Sequence, residues 1–176
     1  CHGRGAPPER GAPDERPTDA RPALTFTSWT ERTELFAELR ALVRGQPSPV
    51  AAHVTTLVDF ASLREGRVTA ILRGGPTEER FTAERPTVPG IFRPVVEPRA
   101  AGTRRLTIEI QFGATTVTHD LGEVQVFEST EAARRAIPEA PDPAGRITFL
   151  KEQQWQMAFA TEAATERPFR TSIPAT

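Results

Sequence analysis

Two histidines are the residues of this sequence best suited to metal chemistry. His53 lies in Ala-Ala-His-Val, and His119 is followed by Asp120 in Thr-His-Asp-Leu-Gly. Imidazole binds zinc, copper and nickel, and an adjacent carboxylate can be a third ligand or can orient a ring. If two strands brought the histidines together they would form a metal site, with Asp59 and Glu123 as more remote ligands. Because no His-x-His or His-x3-His spacing is present, hydrogen-bonded structural roles are the expectation for both.

Sulfur ligands are too few to support another kind of metal site. Cys1 is the only cysteine and Met157 the only methionine. One thiol cannot form an internal disulfide or a cysteine-based zinc site, and one thioether cannot build a Cu(I) site. Met157 shares odd parity with Trp155 and Phe159, so we expect it to pack in a core. No resident cofactor is predicted, although transient binding of a heavy-metal ion stays open.

The sequence carries no motif typical of an enzyme. No serine occupies a Gly-x-Ser-x-Gly elbow, and there is no P-loop, dinucleotide fingerprint or His-Glu-x-x-His motif. A net charge of −1 gives no electrostatic reason to expect nucleic-acid binding. No apolar run approaches the ~20 residues of a membrane span. The sequence therefore predicts a binding protein, not an enzyme, without a nucleic-acid partner.

Alternating apolar and polar residues predict strands through the middle of the chain. The clearest run is Leu106–Phe112, in which every second residue is apolar. Further strands are predicted at Leu24–Trp29, Thr33–Arg40, Pro49–Asp59, Arg67–Leu72, Thr115–Thr118 and Gly122–Phe127, with shorter pieces beside the Pro89-Gly90 turn. Residues 31–43 also fit a helical period, but the breakers Gly45 and Pro47 favour a strand.

This succession of short strands predicts a mainly β fold. About seven or eight strands with frequent turn signals are typical of an antiparallel β-sandwich of immunoglobulin-like type, which we place at 23–128. The Cys…Trp…Cys pattern of antibody domains is absent, so only the architecture is predicted. A short helix at Glu128–Pro138 and a Pro- and Gly-containing linker at Ala140–Gly145 would fill 129–146.

The N-terminal stretch has the composition of a tether. Cys1 is the first residue, as in mature bacterial lipoproteins, where this cysteine is acylated. About half of residues 2–22 are glycine, proline or alanine, so the stretch cannot bury enough apolar surface to offset its ordering entropy. We expect lipid attachment at Cys1 and a disordered lipoprotein tether over 1–22.

The segment from Ile147 to Glu162 combines a strand pattern with a polar patch. Apolar residues at odd positions, such as Phe149 and Trp155, would share one face of an extended chain. Between them lies Lys151-Glu152-Gln153-Gln154, which is too polar for a core. We expect these four residues and Trp155 to form an interface with a partner. A solvated turn or bulge between two strand halves is the alternative.

The polar patch and its aromatic neighbour read Lys-Glu-Gln-Gln-Trp. This run resembles the signature of periplasmic adaptor subunits (membrane fusion proteins) of heavy-metal RND efflux systems, of the CusB/CzcB type. Phe159-Ala160-Thr161-Glu162 and Arg167-Pro168 follow at the expected distance. Stretches that resemble the N-terminal domain of the family are Thr33-Glu34-Leu35-Phe36, Ala51-Ala52-His53, Gly66-Arg67-Val68-Thr69, Pro89-Gly90-Ile91-Phe92-Arg93-Pro94 and Thr118-His119-Asp120-Leu121-Gly122. The resemblance covers about residues 24–176.

The chain departs from the family at two points of its sequence and in how much of the family's length the resemblance covers. Gln156 stands where relatives commonly have lysine, and a single methionine puts copper or silver specificity in doubt. Family members continue into a lipoyl-like domain, an α-helical hairpin and a β-barrel. The resemblance therefore implies an N-terminal portion only, with 147–176 as the truncated start of the membrane-proximal β region.

The resemblance also implies a role, a location and partners. The role is non-catalytic: the module would position and link an inner-membrane RND pump and an outer-membrane channel, beside other adaptor protomers. The location would be the periplasm, with the lipid on Cys1 in a membrane, expected to be the inner one. Two alternatives stay open, a periplasmic metal-binding chaperone using His53 and His119 and an immunoglobulin-like interaction domain unrelated to efflux.

Overall fold

The computed structural model of the 176-residue chain describes residues 19–138 and 150–157. The strands are β1 (Ala23–Trp29), β2 (Thr33–Arg40), β3 (Ser48–Pro49), β4 (Ala51–Thr56), β5 (Arg67–Arg73), β6 (Glu79–Ala83), β7 (Ile91–Phe92), β8 (Val95–Val96), β9 (Gly102–Phe112) and β10 (Thr115–Val126). The helices are α1 (Thr130–Ala136) and α2 (Lys151–Gln154). Cys1, the predicted linker at 140–145 and the chain beyond Met157 lie outside the described residues.

Two four-stranded antiparallel sheets form a β-sandwich. The first sheet has the order β1-β2-β4-β7 and the second the order β10-β9-β5-β6, while β3 and β8 pair as a small ribbon. The prediction of a mainly β, antiparallel sandwich is confirmed. Most of the predicted strands lie where the alternation of the sequence places them.

The strand predicted at Thr33–Arg40 is present, and the helical alternative over 31–43 is not adopted. Leu35, Ala37 and Leu39 are buried, whereas Phe36 lies on the outer face and pairs with His53 of β4. Strand β2 pairs with β1 on one side and with β4 on the other. These pairings satisfy its backbone groups on both sides, and the alternation places Leu35, Ala37 and Leu39 together in the core between the sheets.

The hydrophobic core lies between the two sheets. Fully buried side chains come from both layers, among them Leu35, Val54, Phe92, Leu72, Leu106, Ile108 and Ile110. Burying an aliphatic or aromatic side chain contributes about 1.5–3 kcal/mol. The inter-sheet core therefore holds the sandwich together, and the outer faces are left for other contacts.

The two strands predicted at Thr115–Thr118 and Gly122–Phe127 form one long strand, β10. Its pairing with β9 shifts register between Asp120 and Gly122, and Gly122 has a φ of 83°. Such a β-bulge inserts a residue without ending the strand. The polar residues at this point interrupt the alternation of the sequence, and for that reason the sequence suggested two strands.

The folded part begins before the predicted boundary at residue 23. Arg21 is buried, with 6% of its surface exposed. Its guanidinium pairs with Asp19 and donates to the carbonyl of Pro47 at 2.9 Å. The tether prediction is therefore wrong for 19–22, because a carboxylate and a carbonyl hold this arginine in place. Residues 1–18 lie outside the described part.

Helix α1 lies within the range where the sequence predicts a helix. The hydroxyl of Ser129 accepts a hydrogen bond from the N–H of Ala132 at 3.2 Å, which caps the N-terminus. Ala133 is buried in a small cluster with Ala41 and Val43. The cap and this apolar contact attach α1 to the end of the sandwich.

Helix α2 lies at the polar patch that was predicted to interrupt a strand. The N–H of Trp155 donates to the carbonyl of Lys151 at 3.1 Å, and the Gln153 side chain accepts from the N–H of Leu150 at 2.8 Å. Lysine, glutamate and glutamine favour helices. The polar patch is therefore a short helix and not a bulge within a strand, and the predicted strand halves at 147–149 and 158–162 lie outside the described residues.

The shared face predicted for Trp155 and Met157 is absent as a consequence. Trp155 is half-buried, but Met157 is 60% exposed. The expectation that Met157 packs in a core is wrong, because it relied on the parity of an extended chain. Within 19–138 and 150–157, neither helix is long and apolar enough to cross a membrane.

Candidate interaction site

His119 joins the neighbouring edges of the two sheets through hydrogen bonds. Its Nε2 is 2.9 Å from Thr33 Oγ1, and its Nδ1 is 3.1 Å from Ser28 Oγ. The side chain is 1% exposed, and this burial lowers the pKa of His119 to about 4. The ring is therefore neutral near pH 7, and both of its nitrogens already have protein partners.

His53 lies on the outer face of the first sheet. Its Nε2 is 3.0 Å from Glu152 Oε1, and its ring centroid is 5.6 Å from that of Phe36. His119 instead reaches Ser28 and Thr33 from β10. The structure does not bring the two imidazoles together, so the metal site considered as an alternative for this pair is not formed.

The carboxylates proposed as further metal ligands are engaged elsewhere or exposed. Asp120 pairs with Arg105 on the outer face of the second sheet, and this hydrogen bond lowers the pKa of Asp120. Asp59 accepts a hydrogen bond from Thr56, and Glu123 is exposed. Among the residues that the structure describes, no three histidine, cysteine or acidic side chains are placed to hold a metal ion.

Helix α2 lies in a groove on the outer face of the first sheet. We call this groove the docking groove, and its residues are Glu34, Phe36, His53, Thr55, Gly90 and Arg93. The residues predicted as a partner interface, Lys151, Glu152, Gln153, Gln154 and Trp155, make up α2 and the residue after it. In the described structure three of them bond to the sandwich of the same chain.

Lys151 makes an ion pair with the sandwich. Its Nζ lies 2.5 Å from Glu34 Oε1 and donates to Gln154 Oε1 at 3.0 Å. The two partners of the ion pair are only 16% and 14% exposed. A pair so well shielded from water is stronger than the usual surface ion pair, and removal of one partner leaves a poorly solvated charge.

Glu152 makes the second contact, with His53. Burial raises the pKa of Glu152, but hydrogen bonds from its own backbone N–H and from His53, with the charge of Arg93, outweigh this effect. The pKa of Glu152 therefore lies below its ordinary value, and the side chain is a carboxylate near neutral pH. It presents a full negative charge to the imidazole.

Trp155 makes the third contact and fills a notch at Gly90. Its indole N–H donates to Thr55 Oγ1 at 2.9 Å. A Cβ on Gly90 would lie only 2.7 Å from the indole Cζ3 and from Ser62 Cβ. Gly90 also has a φ of +85°, a conformation that side chains disfavour. Glycine at position 90 thus provides both the turn and the space for the indole.

Two cavities flank α2 in the docking groove. One has a volume of about 550 Å³ and the other about 460 Å³. The larger is bounded by Phe36, Glu38, Arg40, Arg93 and Glu152, among others, and the smaller by Trp29, Leu57, Phe60, Gln154 and Trp155. Both reach Lys151, so α2 covers the middle of the groove and leaves its two ends open.

The sequence identified one side of this site and missed the other. No chemical motif contains Glu34, Thr55 or Gly90. The strand register places Glu34 opposite Thr55, on the face that α2 covers. A signal existed for Gly90, since the Pro89-Gly90 turn is visible in the sequence. Trp29, which the sequence placed only at the end of a strand, is 63% exposed at the rim of the smaller cavity.

The outer face of the second sheet has a different character. Its arginines are paired with acidic or amide side chains: Arg67 with Gln111, Arg73 with Glu78, Arg80 with Glu109 and Arg105 with Asp120. These exposed pairs neutralise one another and remain hydrated. The docking groove, with its aromatic rings and shielded ion pair, is the better surface for binding a polypeptide segment.

Comparisons with known proteins do not identify the chain. No family model, curated protein or solved structure matches it.

Proposed function

We propose that the chain is a non-catalytic interaction module. One observation carries this proposal. Four stretches that resemble the adaptor family, distant in sequence, contribute contacts to one site: Glu34 and Phe36, His53, Gly90 and Arg93, and Lys151 to Trp155. These residues perform one shared task, which is to hold the segment after the sandwich against its outer face.

The most specific form of this function is that of a periplasmic adaptor in a heavy-metal RND efflux system. An adaptor must fix the direction in which its chain leaves one domain for the next. The contacts from Lys151, Glu152 and Trp155 do this for the segment that follows the sandwich. The partners would be an inner-membrane RND pump, an outer-membrane channel and other adaptor protomers, with a heavy-metal ion as cargo.

Anchoring through Cys1 belongs to the same proposal. Acyl chains on Cys1 would hold the N-terminus in a membrane, at about 0.8 kcal/mol for each buried CH₂. A tether between this anchor and the sandwich raises the effective concentration of the module at the pump. The expected location is the periplasm, at the inner membrane.

We also propose a partial kinship with immunoglobulin-like sandwiches. The order β10-β9-β5-β6 corresponds to the G-F-C-C′ order of a variable-type sheet. The order β1-β2-β4-β7 places β4 beside β2, where the immunoglobulin order places a strand from later in the chain. The kinship therefore extends to the second sheet and to the sandwich architecture.

Site-directed photocrosslinking in the source cells tests the adaptor function. A photoreactive residue replaces the exposed Gln153 of α2 in the full chain, and the control carries it at the exposed Thr118 of the second sheet. We expect mass spectrometry to find an RND pump or an outer-membrane channel linked through position 153 and not through position 118. Crosslinks that lack any RND component, or that are the same at both positions, would overturn the adaptor function.

A metal-resistance assay provides the second arm of the test. Replacing Trp155 with alanine removes the indole from the Gly90 notch, so the segment after the sandwich loses its fixed direction. We expect cells with this variant to tolerate less of the exported metal, with zinc, cobalt, nickel, copper and silver tested separately. If cells with the variant tolerate all five metals as well as wild-type cells do, the result would indicate an interaction domain unrelated to efflux.

A further inference from the structure

We propose that the docking groove is an exchangeable peptide-binding site, which α2 occupies within the chain and which a segment of a partner protein can take over. The inference rests on the proposed function as an interaction module. The partner segment has a carboxylate near one end and an aromatic side chain near the other. Its recognition uses the same residues that hold α2.

The first support is that α2 fills the docking groove incompletely. Cavities of about 550 and 460 Å³ remain on its two sides, and both lie within the size range of sites that bind ligands. A segment longer than the four residues of α2 would extend into both cavities. It would bury more surface than α2 does.

The second support is the chemistry of the two ends. Arg40, Arg93 and Glu38 of the sandwich line the larger cavity, next to His53, and the two guanidinium groups outnumber the one carboxylate and favour a carboxylate there. Trp29, Phe60 and Trp155 line the smaller cavity, with Trp155 seated against Gly90, and favour an aromatic ring. The groove therefore distinguishes the two directions in which a peptide can lie.

Exposed apolar surface continues from the aromatic end. Val58 is 91% exposed in the loop after β4, and Trp29 is 63% exposed at the end of β1. Phe60, in the same loop as Val58, has a φ of 54°, which is rare for a bulky residue. Apolar residues gathered at one end of a domain are typical of a protein-binding surface.

The third support is that α2 is held by few contacts. None of its four residues is buried, and so short a helix has no stability of its own in water. An ion pair, two hydrogen bonds and one indole contact hold it in place. Twelve residues, 139–150, separate it from Pro138. Opening in about 1% of molecules would be enough to admit a partner segment.

The fourth support is an unused hydrogen-bonding atom in the docking groove. Nδ1 of His53 is buried and has no partner among the described residues. An unsatisfied buried polar atom costs about 1–3 kcal/mol. An occupant that donates to or accepts from this nitrogen would bind the groove more tightly than α2 does.

Fluorescence anisotropy with a labelled peptide tests the proposal. The probe is a synthetic peptide with the sequence of residues 150–157, and the protein is the full chain carrying Lys151→Ala and Trp155→Ala, which vacates the groove. We expect the peptide to bind this variant at least tenfold more tightly than it binds wild type, whose groove is occupied. A peptide with Glu152→Lys and Trp155→Ala is the control and should not bind.

A second variant, in which α2 is held less firmly in the groove, controls for misfolding of the double variant. Trp155→Ala alone removes only the indole contact of the chain's own segment and leaves every groove residue in place, so the peptide should bind this variant more tightly than wild type but less tightly than the double variant. Circular dichroism verifies that both sandwiches are folded. Equal binding to wild type and to both variants, or equal binding of the control peptide, overturns the proposal.

The result is distinguishable from that of the crosslinking test. Peptide binding without an RND crosslink keeps the exchangeable groove and assigns the module to another assembly. An RND crosslink without peptide binding keeps the adaptor function and makes α2 a permanent part of the fold.

Discussion

At the scale of single residues, histidine serves two different purposes in this chain. His119 is a neutral, buried link between the sheets, with hydroxyl partners on both ring nitrogens. His53 is a docking residue, with a carboxylate partner that the helix α2 supplies. The sequence treated the two as one potential metal pair, because residue type alone does not reveal which face of a sheet a side chain occupies.

The pKa of His119 predicts a dependence of stability on pH. It is about 4 in the folded chain and about 6.5 when the chain is unfolded. Between these values only the unfolded chain binds the proton, so lowering the pH from 6.5 to 4 destabilises the fold, by up to about 3 kcal/mol. Above pH 7 the His119 ring is neutral in the folded and in the unfolded chain, so it no longer makes stability depend on pH.

Denaturant unfolding at pH 7.5 and pH 4.5 measures this effect, with His119→Gln as the control. We expect the wild type to lose more stability over this interval than the variant, which lacks the titrating group. An NMR titration of the His119 ring should have its midpoint near pH 4. A midpoint near 6.5, or equal losses in the two proteins, contradicts the buried neutral imidazole.

Gly90 allows a second prediction at this scale. Gly90→Ala and Gly122→Ala introduce the same backbone strain, since φ is +85° and +83° at the two positions, and each should cost about 1–3 kcal/mol. Only the Cβ at position 90 meets the indole of Trp155, whereas nothing lies within 4 Å of the one at position 122. We expect Gly90→Ala alone to displace Trp155.

Tryptophan fluorescence reports this displacement. In a Trp29→Phe background all emission comes from Trp155, because the chain has two tryptophans. Emission should shift to the red in Gly90→Ala and stay unchanged in Gly122→Ala. An equal shift in both variants would mean that backbone strain, and not the notch, accounts for the change.

At the scale of elements, α2 differs from every strand of the sandwich. The strands bury side chains in the inter-sheet core, whereas α2 is attached through polar contacts and one indole. Its stability therefore depends on a few pairs that can be changed one at a time. The sandwich should remain folded when α2 is released, since none of the α2 residues is buried.

A double-mutant cycle on Glu34 and Lys151 tests the attachment of α2. We expect Glu34→Gln and Lys151→Met to show a coupling of about 1–2 kcal/mol, because the pair is largely shielded from water. The measured quantity is the free energy of opening, from hydrogen exchange at the backbone N–H of Trp155. That N–H donates to the carbonyl of Lys151.

The exposed pair of Arg80 and Glu109 on the second sheet is the matched control. Its coupling, measured from the free energy of unfolding, should stay below about 0.5 kcal/mol. If the coupling of Glu34 and Lys151 is no larger than this, the ion pair does not hold α2 to the sheet.

The strands and α1 could be predicted from the sequence, and α2 could not. Period-2 alternation reports burial of one face, and it placed β2, β5 and β9 because the core covers one side of each. The same reasoning failed at Lys151–Gln154, where no core imposes alternation and local helix propensity prevails. The site itself required the register of β2 with β4, which sets Glu34 opposite Thr55.

At the scale of the whole molecule, the two outer faces of the sandwich have separate characters. The second sheet presents exposed, mutually neutralised charges. The first sheet presents the docking groove, where aromatic rings and a shielded ion pair receive a segment about 100 residues away in sequence. This asymmetry gives the sandwich one surface suited to binding and one suited to solvent, which fits the proposed function.

The central claim is that the sandwich holds the segment around Trp155 in the docking groove. Hydrogen exchange of the two indole N–H groups in NMR spectra of the full chain tests it most directly. The account predicts slow exchange for Trp155, whose indole donates to Thr55, and fast exchange for Trp29, which is 63% exposed. Exchange of both at the rate of a free indole would contradict it.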